Sequence, residues 1–141
     1  MRRLVTMAAA CLLLAMAACG TSQVSAHGAK LYKVPTSSWR PGDPSLLALA
    51  IGTLAAGRYR GHWCVWLVAR WGSGREPIVW PAGFRARRSP LELLDSHGKV
   101  VARGGELIKI GGGSVPVSHG PCMLGQKEPF YAMGYPERMN N

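Results

Sequence analysis

The stretch that decides the fold is Trp63-Cys64-Val65-Trp66-Leu67-Val68-Ala69, near the middle of the chain. It is rich in β-branched and aromatic residues, which favour strands. Its apolar residues are consecutive, so both faces of a strand formed here would be apolar. We therefore predict a central, buried β-strand and place the other elements of the domain around it.

Further strand-like segments flank this central strand at spacings of roughly ten residues, with Gly-rich turns between them. They are residues 46–54, 77–80, 91–94, 99–103, 106–110 and 115–117. A helix is the competing assignment at the start of the first segment, because Leu and Ala are good helix formers. The turn Asp95-Ser96-His97-Gly98 predicts a hairpin, and Gly111-Gly112-Gly113 is predicted as another turn. Five or six short strands of this kind predict an all-β, OB-like barrel, with a small β-sandwich as the alternative.

The composition agrees with one small β-domain. The 141 residues are 48% apolar and include 18 Gly and 10 Pro, which argues against a helix bundle or a coiled coil. The chain has 17 Lys and Arg against 7 Asp and Glu, a formal net charge of +10. It is too apolar to be a disordered basic tail. With so few carboxylates, candidates for acid–base pairs or hard-metal sites are scarce.

The N-terminus has the pattern of an export signal. Met1-Arg2-Arg3 is basic, and the apolar run Leu4–Ala18 is shorter than the roughly 20 residues that a membrane-spanning helix needs. The run ends in Met16-Ala17-Ala18-Cys19-Gly20, which resembles the lipobox of bacterial lipoproteins. That resemblance implies a signal peptide over residues 1–18 and a diacylglycerol, with fatty acyl chains such as palmitate, on Cys19. The protein would then be anchored at the extracytoplasmic face of the cell membrane.

Two other interpretations of the N-terminus stay open. One is ordinary secretion, with cleavage after Val24-Ser25-Ala26, a small-residue site that signal peptidase accepts. The other is an uncleaved membrane anchor. The lipoprotein interpretation divides the chain into a lipidated Cys and tether over 19–44, a β-domain over 45–124 and an irregular tail over 125–141. Within the tether, Leu31, Tyr32 and Trp39 are expected to be able to dock on the domain.

The cysteines support export and predict one disulfide. Cys11 lies in the signal segment and Cys19 would carry the lipid, which leaves Cys64 and Cys122. An even pair of thiols in an oxidising compartment is expected to form a disulfide. From Trp63 to Cys122 the chain resembles small β-domains of actinobacterial envelope proteins, in its Ile78-Val79-Trp80-Pro81 stretch, its Asp-x-x-Gly hairpin and its triple Gly. That resemblance implies no activity.

Basic and aromatic residues alternate along the domain and supply the first candidate site. Arg85, Arg87 and Arg88 follow the loop that begins at Pro81, and they are the candidate residues for an anionic surface. Anionic lipid or a wall polymer would suit them, because each basic group near anionic lipid contributes about 1 kcal/mol. Nucleic acid is excluded as a partner by the export signal. The competing interpretation is that the Trp residues form the core and the Arg residues a solvated rim.

Metal binding is the second candidate. His62, Cys64, His119 and Cys122 are ligand types that zinc and copper accept. However, one residue between His62 and Cys64 is a tighter spacing than structural zinc sites use, and export favours the disulfide. We therefore predict no metal and no cofactor.

An enzyme is the third candidate. Ser118-His119-Gly120-Pro121-Cys122 resembles the Ser-His-Gly-Cys motif of L,D-transpeptidases, which cross-link peptidoglycan through a Cys thiolate. The resemblance implies Cys122 as nucleophile, with His97-Gly98 as the upstream His-Gly of that family. The chain departs from the family by the inserted Pro121 and by Leu124 where the family has Arg. The function predicted from the sequence is a non-catalytic envelope binding or structural module, with a transpeptidase as the alternative.

Overall fold

The structure is a computed structural model that describes residues 29–72, 74–116 and 120–140. The signal segment, Cys19 and both candidate cleavage sites lie outside these residues. The described chain is all-β apart from one 3-10 turn, Pro121–Met123. No helix within these ranges has the length and apolar character needed to cross a membrane. The strands are β1 (Leu31–Lys33), β2 (Ala48–Tyr59), β3 (His62–Ala69), β4 (Arg75–Val79), β5 (Arg85–Arg88), β6 (Leu91–Leu94), β7 (Val100–Arg103), β8 (Leu107–Ser114), β9 (Phe130–Ala132) and β10 (Glu137–Arg138).

Five strands form a closed barrel, in the order β2-β3-β4-β9-β8. The barrel closes because β8 pairs with β2 on one side and with β9 on the other. All pairings in it are antiparallel except β4 with β9, which are parallel. The strand predicted to be central, β3, lies between β2 and β4, and its Val65 and Leu67 are buried. The prediction of a small OB-like barrel is confirmed.

The other main element is a four-stranded antiparallel sheet, in the order β1-β5-β6-β7. Buried residues of this second sheet, such as Ala86 and Leu93, belong to the same apolar cluster as Leu54 of the barrel. Tyr32 of β1 packs on Trp63, with ring centroids 4.8 Å apart, where β3 begins. The second sheet therefore covers the end of the barrel at which β2 ends and β3 begins. We call this end the covered end.

Several elements differ from the sequence-based expectations. β1 lies in the segment predicted as a tether, β5 in a predicted loop, and β9 and β10 in the tail predicted to be irregular. β9 is part of the barrel wall, so the β-structure extends beyond residues 45–124 at both ends. Gly111–Gly113 is not a turn but continues β8, where a Cβ on Gly112 would collide with the carbonyl oxygen of Tyr131. Gly112 therefore permits the close approach of β8 and β9. Residues 115 and 116 are not in a strand, and Val117 lies outside the described part of the chain.

The predicted disulfide is present. Cys64 of β3 and Cys122 of the 3-10 turn are bonded, with Cα atoms 5.4 Å apart, within the usual range for disulfides. The two residues are 58 positions apart in the chain. The bond therefore fastens the segment that leads into β9 onto the central strand of the barrel.

Candidate functional site

The strongest candidate site is a cleft of about 610 Å³ at the covered end, between β1 and the β2–β3 turn. Among the residues that the structure describes, four cationic side chains line it and no Asp or Glu does. We call it the basic cleft. Its cations are Lys30, Lys33, Arg58 and Arg88, and the side chains of Tyr32, His62 and Trp63 also line it.

Aromatic packing positions the β1 side of the basic cleft. Tyr32 contacts Trp63, and the ammonium of Lys30 lies 5.3 Å from the centroid of the Tyr32 ring. Both rings are half-buried. Burying an aromatic pair stabilises the contact between β1 and the barrel, and the ring faces attract the Lys30 cation. The same contact therefore docks β1 and places a cation at the cleft.

A tight turn positions the opposite side. Arg60 and Gly61 connect β2 to β3 and both have positive φ, 47° and 82°. Two such residues are the requirement of a type I′ hairpin turn, whose twist matches that of the flanking strands. Nη1 of Arg58 donates a hydrogen bond to the Gly61 carbonyl oxygen at 3.3 Å, which holds the guanidinium beside the turn.

The three arginines predicted from the sequence lie on both faces of β5, and Arg87 and Arg88 line a small cavity together. Because they lie on a strand and not in a loop, their side chains alternate between its two faces. Arg88 lines the basic cleft. Arg85 and Arg87 share the other face, where Nη1 of Arg87 is 2.9 Å from Oε2 of Glu92. That ion pair neutralises the charge of Arg87, although its buried Nε has no hydrogen-bond partner among the described residues.

Arg85 is exposed and lies directly opposite Lys33 in the β1–β5 register. Two like charges at opposite positions on neighbouring strands repel each other. Lys33 lines both the basic cleft and a smaller cavity beside Arg85. The positive surface therefore continues from the basic cleft around the edge of β1.

Lys30 and Lys33 were not predicted as site residues, because they lie in the segment predicted as a tether. Tyr32 between them was noted only as a residue able to dock on the domain. The available signal was the pair Leu31-Tyr32 between Lys30 and Lys33, and a segment this short does not identify a strand. Arg58 has no sequence feature that separates it from the other arginines. Its place at the basic cleft follows from the β2–β3 turn, where it hydrogen-bonds to Gly61.

Of the cysteine and histidine candidates, the structure describes His62, Cys64, His97 and Cys122. Cys122 lines the basic cleft, but its sulfur is bonded to Cys64, and a disulfide sulfur is not a thiolate nucleophile. His97 lines another cavity, with Arg40 and Tyr135. Ser118 and His119 lie outside the described residues. Among the residues that the structure describes, no three His, Cys, Asp or Glu side chains are close enough to hold a metal ion.

The basic cleft is suited to anions. Arg offers paired N–H donors that match phosphate and carboxylate, and Lys adds a compact charge. The half-buried aromatic rings offer apolar contact next to these charges. Comparison of the chain with models of protein families, with curated proteins and with solved structures gave no match.

Proposed function

We propose that this protein is a non-catalytic binding module of the bacterial cell envelope. In this proposal a lipid on Cys19 anchors it at the extracytoplasmic face of the cell membrane. The basic cleft binds phosphate or carboxylate groups of an anionic envelope component, either a wall polymer or a lipid headgroup. The observation that carries the proposal is the set of four cations lining one cleft without a carboxylate.

Charge is the main physical support. Elsewhere on the second sheet, Glu92 is close to both Arg87 and Arg103, at 2.9 and 3.3 Å, so those cations are neutralised locally. Within the described residues no carboxylate pairs with Lys30, Arg58 or Arg88. Gathering like charges costs free energy that a bound anion removes. The cleft is therefore a better anion site than a net charge of +10 alone would suggest.

The lipid anchor rests on the lipobox-like sequence that ends at Cys19 and Gly20. Acyl chains contribute about 0.8 kcal/mol per buried CH₂, so two chains hold a protein on a membrane far more firmly than surface charge does. We expect Cys19→Ala to leave the membrane fraction or to stay unprocessed. Mass spectrometry that found His27 as the mature N-terminus would instead establish secretion.

The anion site is tested with the purified lipoprotein in nanodiscs of neutral phosphatidylcholine. One arm measures binding of a soluble poly(glycerol phosphate), and the other measures binding to vesicles that contain phosphatidylglycerol. The test variant is Lys30→Gln/Arg58→Gln/Arg88→Gln. At about 1 kcal/mol for each charge, it should bind the anionic partner about 100-fold more weakly at low salt. The arm that shows this loss identifies the source of the anion.

A matched control removes three charges elsewhere. Arg70→Gln/Lys99→Gln/Lys127→Gln changes the net charge equally, and none of these exposed residues lines the basic cleft. It should keep most of the affinity. Raising the salt concentration should weaken the wild type strongly and the cleft variant only slightly. Equal losses in the two triple variants would show that binding depends on total charge, and would overturn the cleft as a site.

A further inference from the structure

The end of the barrel opposite the basic cleft is open. A cavity of about 390 Å³ lies there, between the start of β2 and the end of β3. Small residues occupy the inward-facing positions at this end, Ala50, Gly52 and Ala69, whereas Leu54 and Leu67 fill the next level of the barrel. We call this cavity the barrel mouth. Its volume lies within the range of small-molecule sites.

One carboxylate lines the barrel mouth. Glu76 lies opposite Leu67 in the β3–β4 register, so its side chain is on the inward face of the barrel. Within residues 29–72, 74–116 and 120–140 this carboxylate has no hydrogen-bond or ion-pair partner. Burial raises the pKa of the Glu76 carboxyl above its ordinary value, because desolvation disfavours the charged form. The barrel therefore holds a half-buried acid that no described residue neutralises.

The walls and rim of the mouth are apolar and aromatic. Leu67 and Phe130 form part of the wall, and Leu49 and Trp71 line it while being 63% and 74% exposed. The guanidinium of Arg70 lies 5.4 Å from the centroid of the Trp71 ring, so this ring face already attracts a cation. Arg70 itself is not within ion-pair distance of Glu76.

We infer that the barrel mouth binds a primary ammonium group carried on an apolar chain. The Glu76 carboxylate pairs with the ammonium, and Leu49 and Trp71 cover the chain. A half-buried carboxylate without a partner costs free energy, which an ammonium removes and a neutral ligand does not. An anionic ligand would increase that cost. This site is separate from the basic cleft and does not depend on the proposed function.

The same chemistry is offered by a free alkylamine and by a lysine side chain. The experiment titrates the protein with hexylammonium, hexanol, hexanoate and N-acetyl-lysine methylamide, followed by amide chemical shifts in two-dimensional NMR. The changes in amide chemical shift caused by binding should be largest at residues 48–51 and 69–71. Hexylammonium should bind at least tenfold more tightly than hexanol, and hexanoate should not bind. The lysine derivative reports whether a peptide can be the source of the ammonium.

Three variants decide the role of the carboxylate. Glu76→Gln should lower hexylammonium affinity at least tenfold, to the level of hexanol. Glu137→Gln removes the same charge from an exposed position outside the mouth, and should leave the affinity unchanged. Arg70→Gln removes the arginine that lines the mouth beside Glu76, and it should raise the affinity.

Two outcomes would overturn the inference. The first is equal binding of hexanol and hexylammonium to the wild type. The second is a strong energetic coupling between Arg70 and Glu76 in the stability of the ligand-free protein. A double-mutant cycle measures this coupling, which would make Arg70 the partner of Glu76 in solution. Polyanion binding by Glu76→Gln, measured in parallel, should equal that of the wild type. A failure at the barrel mouth is thereby distinguished from a failure at the basic cleft.

Discussion

The two ends of the barrel leave opposite charges unbalanced. At the covered end the second sheet and the disulfide enclose a cleft with four cations and no carboxylate. At the barrel mouth small residues leave a cavity whose one carboxylate, Glu76, has no partner among the described residues. The total charge of +10 does not predict this difference. Local charge, set by which strands meet at each end, decides what each end can bind.

The two ends also differ in whether their large side chains are packed against another element. At the covered end Tyr32 and Trp63 present large aromatic surfaces, and burying such surfaces stabilises the docking of the second sheet. At the mouth the inward-facing Ala50 and Ala69 leave the interior unfilled, and the large side chains of Leu49 and Trp71 stay exposed on the rim. The covered end is thus packed against the second sheet, while the mouth stays open to a small ligand.

The largest effect is expected from removing the disulfide, which belongs to the covered end. Closing a loop across the 58 positions between Cys64 and Cys122 is worth roughly 4 kcal/mol in the chain-entropy model. Cys64→Ala/Cys122→Ala should lower the free energy of unfolding by about that amount in urea titrations. Because Cys122 lines the basic cleft, polyanion binding should weaken as well, while hexylammonium binding should persist.

Reduction of the wild-type protein serves as the control for that variant and should produce the same loss of stability. Alkylation should label neither of these two cysteines before reduction and both of them afterwards. A fast-reacting thiol at Cys122 in the native protein would contradict the structural role of the pair and would favour the transpeptidase interpretation.

The second prediction concerns the closure of the barrel next to the mouth. Gly112→Ala places a Cβ against the carbonyl oxygen of Tyr131, so β8 and β9 must separate. We expect it to lower the free energy of unfolding by roughly 3 kcal/mol. Hydrogen exchange should speed up along the β8–β9 pairing, which lies beside the mouth residues Ser114 and Phe130. Hexylammonium binding should then weaken more than polyanion binding.

The neighbouring glycine provides a matched control. A Cβ on Gly111 meets no heavy atom within 4 Å, and this residue has no positive φ. Gly111→Ala should therefore change the stability by only a few tenths of a kcal/mol. If the two alanine variants unfold at the same urea concentration, the close approach of β8 and β9 is not what requires glycine here.

The elements predicted from the sequence were those with a strong local pattern. The apolar run of β3 and the hairpin around Asp95 depend on residues close together in the chain. The disulfide was predicted because an even number of cysteines, two, remained to pair. β1 and β9 are three residues long, and their pairing with β5 and β8 is long-range, so their own residues carry too little signal. The basic cleft was only partly predicted, through Arg88, because its other cations come from β1 and a hairpin distant in sequence. Glu76 was missed because the predicted strand began only at Pro77, whereas β4 begins at Arg75.

The smallest effect is expected from Glu76→Gln, and it depends on pH. Burial raises the pKa of this carboxyl in the folded protein above its ordinary value of 4.5, so the folded state binds the proton more tightly than the unfolded state. The wild type should therefore lose stability as the pH rises from about 4.5 through the raised pKa, and the loss should be complete above that pKa. Gln, which never ionises, avoids this loss. Glu76→Gln should consequently be more stable than the wild type near neutral pH.

Thermal unfolding of the two proteins over a series of pH values measures this difference directly. The stabilisation by Glu76→Gln should shrink as the pH falls and should vanish below 4.5, where both forms of residue 76 are neutral. Ser114→Ala alters the same cavity without a titratable group, so its effect should be the same at every pH. Saturating hexylammonium should remove the advantage of Gln at neutral pH, because the bound cation stabilises the ionised wild-type carboxylate. A stabilisation by Gln that stays constant down to acidic pH would mean that the Glu76 carboxylate is as well solvated in the mouth as in the unfolded chain. In that case the contrast between the two ends would rest on the basic cleft alone.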